Sequence, residues 1–227
     1  GDLRGRVRAQ EHRQRRDLLH LHELPGRLRG EDDVEAAAVV SGRTDKNGEE
    51  LPSALVTKHL EYSLPYRAVF ASTPRVDTAI RLLDALTLLF VRLHIIGFSW
   101  NDCSLSNTLF RRDAGAFAAY LVDAETGDMY PTLSPGQRAY DIDTAVLNVT
   151  GELLDLQAGG RLPDSVDPIP VGQSLRSRYE RLWTLINAPV VLESGDRTPL
   201  DNHIRRLNSM GFDVTEIRMK PASDNRQ

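Results

Sequence analysis

Ile80, Leu83, Leu86, Phe90 and Leu93 recur at steps of three and four residues and form one apolar stripe. Asp77 or Thr78 can cap the start of this run and Gly97 stops it, so the spacing predicts a helix ending at about Ile95. Apolar residues occupy much of the circumference, which predicts a central core helix. Arg81, Asp84, Arg92 and His94 interrupt the stretch, so no spanning segment of about 18 apolar residues exists. A buried helix needs elements on several sides, and 227 residues suffice for one domain or two small ones.

The other elements are shorter. Val34 to Ser41 and Leu51 to Leu60 read as two strands joined by a turn at Thr44-Asp45-Lys46-Asn47-Gly48, where Asn-Gly is a strong hairpin signal. Tyr62 to Phe70 reads as a linker or short helix. Thr108 to Arg111 and Ala118 to Val122 read as a second hairpin turning near Asp113-Ala114-Gly115. Helices are expected from about Tyr140 to Gln157, Gln173 to Ile186 and Pro199 to Met210, with Pro163, Pro168 and Pro170 marking an extended connection. No internal repeat is visible.

Residues 1–33 differ from the rest. They carry eight arginines and His12, His20 and His22, with a short helix expected from about Glu11 to Glu23. A solvated end and a patch for an anionic partner are the two readings of such a charge run. The net charge of −4 and pI of about 5.9 do not mark a nucleic-acid binder. A single cysteine, Cys103, excludes an internal disulfide and a cysteine-rich metal site, and it reads as a packed thiol. The N-terminus lacks the apolar core of a signal peptide, so a cytoplasmic protein is expected.

The segment from His94 to Gly127 carries chemistry. Phosphoryl transfer from ATP needs a carboxylate to orient and deprotonate the attacking hydroxyl, and oxygen ligands to hold Mg²⁺ against the phosphates. Enzymes of this kind place the groups in a loop after a long helix and at the end of the following hairpin. Asp102 precedes Asn107 by five positions, and Asp123 follows sixteen positions later, across the expected hairpin. Asp102 is the candidate base, and Asn107 and Asp123 are the candidate metal ligands. In the alternative reading, the three are loop and turn residues that bond their own backbone.

The stretch Leu93-His94-Ile95-Ile96-Gly97-Phe98-Ser99-Trp100-Asn101-Asp102-Cys103-Ser104-Leu105-Ser106-Asn107 resembles the catalytic loop of small bacterial protein-kinase-like enzymes, among them lipopolysaccharide core kinases of the Kdo/heptose type. With Leu55 to Arg67, Leu121 to Gly127 and Ile204 to Val214, it looks like a bacterial family of unassigned function that joins such a domain to a C-terminal domain of unknown function. The resemblance implies an α+β, protein-kinase-like fold: a short, incomplete β N-lobe and a mostly helical C-lobe. It divides the chain into an atypical segment 1–33, an N-lobe remnant with hinge 34–62, a kinase-like C-lobe 63–158 and a helical extension 159–227. It implies ATP and Mg²⁺ as cofactors and a sugar or other small-molecule hydroxyl as acceptor. Lys58, His59, Leu60 and Glu61 become the hinge that meets adenine. His94, Asp141 and Asp143 become structural support for the loop, although N-capping of the next helix explains the two aspartates equally.

The chain departs from the pattern in places. No G-x-G-x-x-G is present. Of the lysines, only Lys46 and Lys58 precede the loop, one in the hairpin turn and one at the hinge, so neither is the strand lysine of a working kinase. Trp100-Asn101 stands before Asp102 in place of His-Arg, and Ser104 stands two positions after it in place of lysine. Asp123-Ala124-Glu125 replaces Asp-Phe-Gly and no Ala-Pro-Glu follows. These features point away from a regulated protein kinase. A pseudokinase or truncated binding module, and an interaction domain using the arginine-rich segment, stay open beside the enzyme.

Overall fold

The structure is a computed structural model that describes residues 36–72, 76–113, 116–122, 124, 126–187, 197–210 and 212. The helix expected near Glu11 to Glu23, the turn at Ala114-Gly115, Asp123 and Glu125 lie outside the described residues.

Among the described residues, seven strands and five helices follow in the order β1 (Ala36–Val40), β2 (Ala54–Thr57), β3 (Ser63–Pro65), α1 (Tyr66–Ser72), α2 (Val76–Ile95), β4 (Phe98–Ser99), β5 (Thr108–Asp113), β6 (Ala116–Leu121), β7 (Asp128–Met129), α3 (Pro135–Ala158), α4 (Pro168–Asn187) and α5 (Thr198–Ser209). The architecture is α+β, mostly helical, with three small antiparallel sheets. No helix among the described residues is long and apolar enough to cross a membrane.

The first hairpin forms where Asn-Gly predicts it. β1 and β2 pair from Ala36 opposite Thr57 to Val40 opposite Ala54. In the turn, the Asp45 carboxylate accepts the amides of Asn47 at 2.9 Å and Glu49 at 2.8 Å. Both strands are shorter than expected. The segment read as a linker at Tyr62 to Phe70 is a strand and then a helix. β3 pairs with β5, with Ser63 opposite Arg111 and Pro65 opposite Leu109, and α1 continues directly from it. The expectation missed β3 because a three-residue strand has no periodicity of its own.

α2 is the central helix. Leu82, Leu83, Leu86, Phe90 and Val91 are buried along it. The buried face is rotated from the expected stripe: Ala79 points inward, while Ile80 is exposed and Leu93 half-buried. A helix with apolar residues on most sides leaves the packing to choose the face. Gly97 ends it at φ +86°, a left-handed conformation that glycine adopts without steric cost. Tyr66 packs on Phe70 and Phe110 with ring centroids 4.5 and 4.4 Å apart, joining α1 to β5.

α3 begins at Pro135, five residues before the expected start. Ser134 is its N-cap: its Oγ accepts the Gln137 amide at 3.2 Å, and Gln137 Oε1 accepts the Ser134 amide at 2.9 Å. Pro135 sits in the first turn, where its missing N–H has no cost. Pro168 and Pro170 likewise belong to the first turn of α4 and not to an extended connection. Leu175 and Tyr179 of α4 and Leu207 of α5 join one hydrophobic core with α2 and α3.

Candidate functional site

The loop between β4 and β5 is held from below by one face of α3. Asp141, Asn148 and Glu152 are separated by seven and four residues, which stacks them on the same side of a helix. Each reaches a different part of the loop.

Asp141 is wholly buried. Its Oδ2 accepts the Trp100 amide at 2.7 Å and its Oδ1 the Asn101 amide at 2.8 Å. His94 Nε2 lies 3.0 Å from the same Oδ2. A buried carboxylate is costly unless charge-assisted hydrogen bonds offset its lost hydration, and these three do so. Seven residues into α3, Asp141 is past any capping position, so the N-cap reading fails for it. Asp143 is exposed and ion-pairs with Arg176 of α4, so of the two aspartates only Asp141 braces the loop.

His94 continues the chain of contacts. Its Nδ1 lies 2.7 Å from the hydroxyl of Tyr179, which burial pushes well above the ordinary phenol range. That hydroxyl keeps its proton, and in the tautomer with the hydrogen on Nε2 the His94 ring accepts from Tyr179 and donates to Asp141. Trp100, fully buried, adds an apolar anchor against Phe90 of α2, with centroids 5.5 Å apart. His94 thus stands between Asp141 of α3 and Tyr179 of α4.

Asn148 Nδ2 donates to the Cys103 carbonyl at 3.0 Å and lies 3.4 Å from Asp102 Oδ1. Glu152 Oε1 accepts the Leu105 amide at 2.9 Å, and its Oε2 meets Arg67 Nη1 of α1 at 3.2 Å. Sequence reasoning missed both residues. Their partners lie some 45 to 85 positions away, and the one available signal was their helical phase relative to Asp141.

Inside the loop, Ser104 Oγ accepts the amides of Ser106 and Asn107 at 3.2 and 3.1 Å, and Thr108 Oγ1 donates back to the Ser104 carbonyl at 2.9 Å. This serine is the turn's internal cap. Asn101 takes φ +66°, which asparagine tolerates better than most residues. Its side chain donates to the Thr126 carbonyl and to Asp128 Oδ2, both at 3.1 Å, tying the loop to the start of β7 and the residues just before it. Cys103 is buried, and burial together with the nearby Asp141 charge pushes its thiol well above the usual range, as suits a packed thiol.

Asp102 and Asn107 are thus brought together at the ends of one braced loop. Asp102 is exposed, and Asn107 Nδ2 lies 3.4 Å from the Asp102 carbonyl. Neither the second Asp102 carboxylate oxygen nor the Asn107 side-chain oxygen has a hydrogen-bond partner among the described residues. Hard, uncommitted oxygens of this kind suit Mg²⁺. The Asn107 carbonyl accepts the Val122 amide at 3.3 Å, one residue before Asp123. No group of three His, Cys, Asp or Glu residues among the described residues converges as a metal cage. Mg²⁺ on a nucleotide needs fewer protein ligands, since the phosphates and water complete its shell.

The other expected residues lie apart. Lys58, His59 and Glu61 are exposed beyond β2, and Leu60 is half-buried, its carbonyl accepting Ser63 Oγ at 2.8 Å. They lead into β3 at its Arg111 end, away from Asn107.

Among known proteins, residues 181–227 match the model of a domain of unknown function, DUF4032. No curated protein matches the chain. Among solved structures, one described as "WaaP in complex with acyl carrier protein" is similar to 89% of this chain and 76% of its own, with a TM-score of 0.47 and 16% sequence identity.

Proposed function

We propose that this chain is an ATP- and Mg²⁺-dependent phosphotransferase of the protein-kinase-like kind. The observation that carries the reading is the braced loop. Asp102 and Asn107 sit five positions apart with free oxygens, while Asp141, Asn148 and Glu152 fix the backbone between and before them. Preorganisation of this sort is what positioning catalysis requires.

Asp102 orients the acceptor hydroxyl and takes its proton as that oxygen attacks the terminal phosphorus, while the bond from that phosphorus to the bridging oxygen breaks and ADP leaves. Asn107 and Asp123 would hold Mg²⁺, which neutralises phosphate charge when bound. Lys58 to Glu61 present backbone to the adenine. The loop sequence, with no activation segment, favours a sugar or envelope-related hydroxyl as acceptor over a protein, and a cytoplasmic location follows from the need for ATP. The nucleotide and a small-molecule acceptor are the partners, and neither nucleic acid nor membrane insertion has a role.

Asp102→Asn tests this. General-base loss lowers phosphoryl transfer by about 10²- to 10⁴-fold while ATP binding persists. Unchanged turnover in the variant rejects the assignment.

A second reading has an observation of its own. Lys46 is exposed in the β1–β2 turn, and Lys58 lies beyond the end of β2, so neither stands within a strand facing the loop. A pseudokinase that binds nucleotide without transfer fits that arrangement. Any ATP turnover that depends on Asp102 eliminates it.

A further inference from the structure

A second concavity lies on the other side of α2, where one face each of α2, α4 and α5 meet the start of β6 around a cleft of about 1040 Å³. Its lining has two characters. Arg81, Arg178, Arg181, His203 and Arg206 bring basic groups from all three helices, against one carboxylate, Asp84, among the described residues. Leu88, Phe117, Leu182, Leu185 and Met210 supply an apolar surface between them.

Arg178 is committed: it pairs with Asp84 and donates from Nε to Ser174 Oγ at 3.2 Å. Arg81, Arg181 and Arg206 have no partner among the described residues. Arg81, Arg181 and Arg206 are exposed at the lining of one cleft, one from each helix, and together give it a positive potential that attracts an anion. The planar guanidinium of arginine presents a fork of N–H donors that meets two oxygens of a phosphate, which a lysine ammonium does not. The cleft is also kept in shape: Arg92 of α2 donates to the Met210 carbonyl at 3.3 Å and stacks over Phe212, fixing the end of α5.

The cleft is separate from the loop of Asp102 and Asn107. β5 runs six residues, about 20 Å, between Asn107 and the hairpin end near Ala116. A ligand here does not take part in phosphoryl transfer at Asp102.

We propose that the cleft between α2, α4 and α5 binds a phosphate monoester carried on an apolar body. The guanidinium groups grip the phosphate and the leucines, Phe117 and Met210 cover the hydrocarbon. Such chemistry is shared by a lipid headgroup with its first methylenes and by a soluble phosphorylated amphiphile.

The test is calorimetric titration of the full chain with inorganic phosphate, butyl phosphate and octyl phosphate. The expected order is octyl, then butyl, then inorganic phosphate, with a gain of up to about fourfold for each methylene that is buried. Arg81→Gln/Arg206→Gln is expected to weaken octyl phosphate at least tenfold, the corresponding Lys pair to weaken it less, and the distant Lys46→Gln to leave it unchanged. The Lys pair keeps the charge, so it also controls for folding, alongside the melting temperature of each variant. Flotation with phosphatidylcholine vesicles containing phosphatidic acid separates the sources. Capture that octyl phosphate competes away assigns a lipid headgroup, and soluble binding without capture assigns a soluble ligand. Equal affinity for butyl and octyl phosphate, equal binding of octanol, or wild-type affinity in a normally folded Gln pair overturns the proposal.

Discussion

Asp141 and His94 meet at 3.0 Å with both side chains wholly buried, and through them the central helix, the following helix and the loop before Asp102 form one hydrogen-bonded unit. The carboxylate serves the backbone of Trp100 and Asn101 and so sets the path of the chain into Asp102. Asp141→Ala leaves those amides and His94 without an acceptor in a dry interior. The expected cost is about 3–5 kcal/mol, read from the denaturant midpoint. Asp141→Asn costs less but speeds hydrogen exchange at Trp100 and Asn101. Wild-type protection at those amides contradicts the assigned role.

The same geometry shows what the sequence could and could not tell. Asp141 had two readings, brace and cap, because its helix was expected to begin at Tyr140. The Ser134–Gln137 capping box lies around Pro135 and Gly136, ahead of that expected start, although its residue types are visible in the sequence. The α2 boundaries were legible because Gly97 and the apolar run act locally. Its buried face was not, since Ile80 and Ala79 are both apolar and only tertiary packing chooses between them. Asn148 and Glu152 serve the loop from 45 to 47 residues away, and no local rule connects them to it.

Glu152 is a separable brace. Glu152→Ala removes the acceptor of the Leu105 amide and the partner of Arg67, for an expected loss of about 1–3 kcal/mol. Most of that belongs to the amide. The ion pair is partly exposed, so a double-mutant cycle with Arg67→Ala returns less than about 1 kcal/mol of coupling. A coupling that equals the whole loss contradicts this division.

Two glycines permit close approaches beside the loop. A Cβ at Gly97 would stand 2.0 Å from the Tyr130 carbonyl oxygen, and one at Gly127 would stand 2.1 Å from the Phe98 ring. Gly97→Ala also meets the left-handed backbone penalty. Each alanine variant is expected to lose about 2–4 kcal/mol, with Gly97→Ala the worse. Melting temperatures within a degree of wild type contradict the packing described.

Cys103 gives a pH signature. Its folded-state pKa is raised by burial, so the unfolded thiol ionises above about pH 8.5 while the folded one keeps its proton. The unfolded state then binds fewer protons, and stability falls as pH rises beyond that point. Tyr66 and Tyr179 are raised too, but unfolded phenols ionise only near pH 10, so the interval between reports on the thiol. Urea midpoints from pH 8 to 10 are expected to fall more steeply in wild type than in Cys103→Ala. Parallel slopes contradict a buried, neutral thiol.

Asn107 and Asp123 are proposed to hold a metal–nucleotide complex. The most direct measurement is thermal unfolding with ATP, with and without Mg²⁺, on wild type, Asn107→Ala and Asp123→Ala. Binding to the folded state alone stabilises it by about 2.7 kcal/mol at a hundredfold excess over Kd. A Mg²⁺-dependent rise in Tm that both substitutions abolish is the predicted result. No rise, or one that persists in both variants, contradicts the account.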